Sequence, residues 1–94
     1  MSYYRSRPTM IEARQWDGTV ESATTIIDWA LSYGGTIRYH DEDNTLVVDT
    51  AVGTMLARPG DWIVRGLEDN LFDPFGPKAF EATYEPAPIE ESVP

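Results

Sequence analysis

The sequence predicts an α+β domain, with one main helix packed on a twisted, mostly antiparallel sheet of about five strands. Three observations lead there. The chain has 94 residues, too few for two hydrophobic cores. Only one stretch, between Thr19 and Leu31, holds a long run of apolar residues at helical spacing. The β-like runs that follow are separated by segments too short for the crossovers that parallel strands need. A single domain is expected over 1–86, with a flexible Pro/Glu-rich tail over 87–94.

Pro8 opens the first structured segment. Thr9–Trp16 reads as a strand with Ile11 and Ala13 on one face and Met10, Glu12, Arg14 and Trp16 on the other. Asp17-Gly18 is a turn signal. Thr19 then suits an N-cap, with Glu21 placed in the first helical turn, where a carboxylate complements the helix dipole. Val20, Ala23, Ile27, Ala30 and Leu31 form the helical stripe, which Ile26 and Trp29 widen. Gly34-Gly35 ends the helix.

Thr36–His40 and Thr45–Asp49 read as strands joined by the polar hairpin loop Asp41–Asn44. Gly53 precedes a strand over Thr54–Arg58. Pro59-Gly60 then fits the central positions of a type II turn, because proline fixes φ and glycine supplies φ > 0. Asp61–Arg65 is the next strand, and Leu71-Phe72 a last short one. Phe80 and Tyr84 share a face of a short helix with Pro77 near its start and Pro86 at its end. A strand with Phe80, Ala82 and Tyr84 on one face fits nearly as well; the helix is preferred. The main helix, through Val20, Ile27 and Leu31, is expected to cover Leu46, Val48, Met55, Trp62 and Val64, or the alternate face if the register slips by one. The exposed edge of Thr9–Trp16 would permit dimerisation through that strand.

Composition narrows the chemistry. Seven basic against sixteen acidic residues give a net charge of −9, which argues against broad phosphate contacts with nucleic acid and against an anionic membrane surface. Residues 1–14 are net basic through Arg5, Arg7 and Arg14, whereas 66–94 hold Lys78 against seven carboxylates. Opposite ends are thus able to attract within the fold or between copies. No cysteine is present, which removes disulfides, thiolate metal sites and a Cys nucleophile. No apolar run approaches the ~20 residues of a membrane span. The first residues lack the apolar core of a signal peptide, so a cytoplasmic location is expected.

Catalytic signatures are thin. His40 is the sole histidine, at a strand end beside Asp41, Glu42 and Asp43, whose charges favour its cation. Those three acids read as a solvated hairpin tip, since a calcium loop needs a glycine bend and a distal glutamate. No metal, cofactor or catalytic residue is expected. The best candidate ligand site is formed by Trp16 beside Arg14, an aromatic plate and a guanidinium suited to a planar anion. Arg58 and Arg65, near one rim of the sheet, are expected to add anion contacts.

Three runs carry a family resemblance: Pro8-Thr9-Met10-Ile11-Glu12-Ala13-Arg14-Gln15-Trp16, Pro59-Gly60-Asp61-Trp62-Ile63-Val64-Arg65-Gly66, and Phe80-Glu81-Ala82-Thr83-Tyr84-Glu85-Pro86. In this order they resemble a family of small proteins of tailed bacteriophages and prophages, mostly uncharacterised. The resemblance spans about Pro8 to Pro86. It implies a phage origin and no catalytic residue set. In that setting the expected function is a non-catalytic accessory binding protein in the infected host cytoplasm, sequestering a small nucleotide-like anion or blocking a host protein. A virion component, such as a capsid decoration or head-tail accessory protein, is the first alternative. An acidic DNA mimic is the second.

Overall fold

The corner after the first strand determines where the main helix begins. In the computed structural model of the chain, which describes residues 1–4 and 10–87, Asp17 Oδ1 accepts the Thr19 N–H at 2.8 Å and its O–H at 2.7 Å. Thr19 Oγ1 in turn accepts the Ser22 N–H at 3.1 Å. This is the expected N-cap, and α1 (Val20–Ser32) starts directly after it. At the other end the Gly34 N–H bonds Leu31 O at 3.0 Å and the Gly35 N–H bonds Ala30 O at 2.8 Å. Those two bonds satisfy carbonyls that the end of the helix leaves open.

Among the described residues six strands accompany α1: β1 (Ile11–Gln15), β2 (Ile37–His40), β3 (Thr45–Thr50), β4 (Gly53–Ala57), β5 (Trp62–Gly66) and β6 (Phe72–Phe75). A short helix, α2 (Pro77–Thr83), follows. The strands are antiparallel and form two three-stranded sheets, β1-β5-β6 and β2-β3-β4. The α+β class is therefore as expected, whereas the single sheet of about five strands is corrected to two. Pro8, Thr9, Arg5 and Arg7, and the expected tail beyond Ala87, lie outside the described residues.

The Pro59-Gly60 turn explains the split. The Asp61 N–H bonds Arg58 O at 2.9 Å with Gly60 at φ +93°, the type II geometry that needs glycine. The turn does not fold β5 back along β4, because it is clamped to the end of β1. The Trp16 N–H bonds Asp61 O at 3.0 Å, the Gly60 N–H bonds Trp16 O at 2.8 Å, and Gln15 Nε2 donates to Gly60 O at 3.0 Å. From this clamp β5 runs antiparallel to β1, from Gln15↔Trp62 to Ile11↔Gly66. The predicted β2–β3 hairpin forms as expected, with Ile37↔Val48 and Tyr39↔Leu46 in register.

The core lies between α1 and the inner faces of both sheets. Ala23, Ile26, Trp29 and Ala30 are the buried helix residues, while Val20 and Leu31 are 57% and 68% exposed. The expected stripe is thus rotated. The fully buried Trp16 lies against the N-terminal end of α1, its indole N–H donating to Thr19 O at 2.9 Å. Ala23 and Ala30 allow close approach to the sheets, and Trp29 packs edge-to-face on Phe72 with centroids 5.3 Å apart. Leu46 and Val48 are buried as expected, joined by Ile37, Ala57 and Ile63. Met55 is largely exposed on the edge strand β4. Trp62 and Val64 belong to the other sheet, on the face turned away from α1. β6 closes the core against β3 and β4.

The expected second helix is present. Pro77 occupies its first turn, where a missing N–H costs nothing, and Tyr84 caps its end. Phe80 stacks on Trp62 with centroids 4.2 Å apart and planes 5° from parallel, and Tyr84 meets Phe75 edge-on at 5.5 Å. These contacts hold α2 on the outer face of β1-β5-β6.

Candidate functional site

Strand alternation divides β1 into two functional halves. Its inner-face residues, Glu12 and Arg14, lie opposite Arg65 and Ile63. Arg65 is only 7% exposed and is fully engaged. Its Nε and Nη2 donate to Glu12 Oε1 at 3.0 and 2.9 Å, and its Nη1 to Asn70 Oδ1 at 2.7 Å. Its guanidinium also lies 3.7 Å from the centroid of the Tyr33 ring. The Trp29 indole N–H reaches the same Glu12 oxygen at 2.9 Å. Partial burial pushes the Glu12 carboxyl up, but the Trp29 and Arg65 donors outweigh it and hold the group below the usual carboxylate range.

This arrangement corrects the expected anion site. Trp16 shares the face of Glu12 and Arg14 as the alternation implied, but that face points inward, and Trp16 is 0% exposed with its ring edge against Tyr39. It offers no plate to a ligand. Arg14 is exposed and lies over the Trp29 ring, 5.0 Å from the centroid. Arg58 is exposed at the turn between the sheets, at the opposite end of β5 from the occupied Arg65. Arg14 and Arg65 thus flank the same Glu12–Trp29 pair, while Trp16 is enclosed and Arg58 lies at the other end of β5, so the four do not form one open site.

The outer face carries a cavity instead. Ile11 and Ala13 from β1, Trp62 from β5, Phe80 from α2 and its C-cap Tyr84 line a groove of about 310 Å³. Met10, Pro86 and Ala87 also line it, and among the described residues Glu85 is its one charged lining residue. Trp62 and Phe80, stacked on each other, contribute aromatic surface to its lining beside the small Ala13 side chain. Ile11 and Ala13 were legible by alternation and Phe80 and Tyr84 by helical spacing, whereas Trp62 was expected beneath the main helix and Met10 on the opposite face of the first strand. The missing signal was the β1–β5 pairing that brings them together, because it joins segments remote in sequence.

The remaining polar cluster is the β2–β3 hairpin tip. His40 Nδ1 and Asp43 Oδ1 lie 2.9 Å apart, and the Thr45 hydroxyl donates to the same Asp43 oxygen at 2.8 Å. The Asp43 hydrogen bond and charge push the His40 ring up from its usual value, in the expected direction. Among the described residues no group of His, Asp and Glu is arranged to hold a metal, and no helix is long and apolar enough to cross a membrane.

Comparison of the chain with family models, curated proteins and solved structures gives no significant match.

Proposed function

We propose that the protein is a non-catalytic, phage-encoded accessory module that works by binding a host protein through the groove between β1 and α2. The observation that carries this reading is the groove's lining: apolar side chains and aromatic rings, with one carboxylate at the rim. A pocket of this size and character suits a buried apolar anchor from a partner, flanked by polar contacts that fix orientation. The Glu85 carboxylate and the net charge of −9 favour a partner with lysine or arginine beside that anchor. A nucleotide-like anion is disfavoured by the same charge, by the enclosed Trp16 and by Arg65 already being paired with Glu12. Phage origin rests on the three ordered sequence runs.

Selection of a displayed random-peptide library on the purified protein tests this. The expected winners combine a large apolar or aromatic residue with a neighbouring Lys or Arg, and Glu85→Lys weakens them about tenfold, in keeping with the loss of a rim charge contact. Enrichment of acidic peptides, or calorimetric binding of nucleotides in place of peptides, would overturn the reading.

A further inference from the structure

The edge of β1 carries a second message, read from its free backbone groups and from Glu12 and Arg14 on the face opposite the groove. Among the described residues β1 is an outer strand of its sheet, bonded to β5 on one side only. Its register with β5 continues unbroken from Ile11↔Gly66 to Gln15↔Trp62, and the next pair is bonded through the Trp16 N–H to Asp61 O. In an antiparallel ladder the residues that exchange these bonds alternate. Glu12 and Arg14 therefore bond inward to β5, and the N–H and C=O groups of Ile11, Ala13 and Gln15 point outward. Among the described residues no other backbone group meets them.

The side chains on this edge are charge-palindromic about Ala13, reading Ile-Glu-Ala-Arg-Gln. Both ionic members retain capacity for a partner. Glu12 receives Trp29 Nε1, Arg65 Nε and Arg65 Nη2 on Oε1 alone, leaving Oε2 without a donor among the described residues. The Arg14 guanidinium has an aromatic neighbour in Trp29 but no carboxylate within 4.0 Å among the described residues.

We infer that β1 pairs antiparallel with β1 of a second copy, with the two Ala13 residues opposite each other. Glu12 of each copy then faces Arg14 of the other, twice per interface, and Ile11 faces Gln15. Because outward-pointing groups must meet outward-pointing groups, the register slips only in steps of two residues. One step either way sets Glu12 against Glu12 or Arg14 against Arg14, and like charges directly opposite are destabilising. The charges thus choose a single register. The other apolar edge, β4, exposes Met55 and Leu56 but has no charges that would set one. The resulting dimer has a continuous six-stranded sheet. Its twofold axis is normal to that sheet, so both grooves open on the same side.

Light scattering on size-separated protein decides the matter. The wild type is expected at twice its 10.6 kDa chain mass at concentrations of tens of micromolar. Ala13→Pro removes one outward N–H and places a ring on the free edge, while leaving every bond to β5 in place. It is expected to be a folded monomer, with the circular dichroism of the wild type. Arg14→Glu places like charges across the axis and is expected to raise the dimer dissociation constant at least tenfold without unfolding the chain. A wild type that stays monomeric overturns the inference, as does a dimer that survives Arg14→Glu unchanged.

Discussion

At the scale of single residues, the best-supported interaction is the one that holds Arg65 inside the protein. A buried guanidinium is tolerated only when its donors are used and its charge is balanced. Glu12, Asn70 and Tyr33 meet those needs together. Replacing Glu12→Ala leaves the buried cation without its counter-charge and is expected to cost about 1–2 kcal/mol in urea denaturation, less than for a fully buried pair because the Glu12 side chain is 39% exposed and screened by solvent. The pH dependence follows from the lowered Glu12 pKa. The folded state favours the ionised carboxylate, so this contribution is complete above the ordinary carboxylate range and is lost as pH falls through the lower folded value. Asp73 behaves oppositely. Burial, and then the charge of Asp69, push its carboxyl up, so its ionised form is disfavoured by folding. Asp73→Asn is therefore expected to raise the urea midpoint at pH 7, by on the order of 0.5 kcal/mol, with the advantage shrinking as the pH drops and Asp73 takes up its proton.

At the scale of elements, the segments were largely readable and their partnerships were not. The α1 caps follow from Thr19 and Gly34-Gly35, which act through bonds within a few residues. The Pro59-Gly60 turn and the β2–β3 hairpin are equally local. The rotated face of α1 was hidden, because the choice of stripe depends on Trp16 and Phe72, which arrive from elsewhere in the chain. Gly35 shows how tight that fit is: a Cβ built there would lie 2.5 Å from two carbons of the Phe72 ring. Gly35→Ala is expected to cost about 1–3 kcal/mol by overpacking, measurable as a lowered thermal midpoint. α2 depends on its aromatic contacts, since seven residues are too few for a helix to be stable alone. Phe80→Ala removes the stack on Trp62 and is expected to fray α2 and shift Trp62 fluorescence toward that of a hydrated indole.

At the scale of the molecule, the proposed function depends on the pairing that sequence concealed. β1 reaches across the chain to β5, and this one pairing creates a two-sided sheet. Its inner side holds Arg65 within the core, and its outer side, with α2 laid over it, forms the groove. Reading Trp16 and Arg14 as neighbours on one face was sound as strand geometry, but alternation does not say which face meets water. The expected anion site is therefore not assembled as one open surface, and the apolar groove is the candidate in its place. The most direct measurement is a methyl and indole NMR titration of the intact protein with a peptide selected on it. The account predicts shifts concentrated at Ile11, Ala13 and the Trp62 indole, with Val52 on the β3–β4 turn unmoved. Shifts centred on the β3–β4 turn or around Arg58, with Ile11, Ala13 and Trp62 unperturbed, would contradict it.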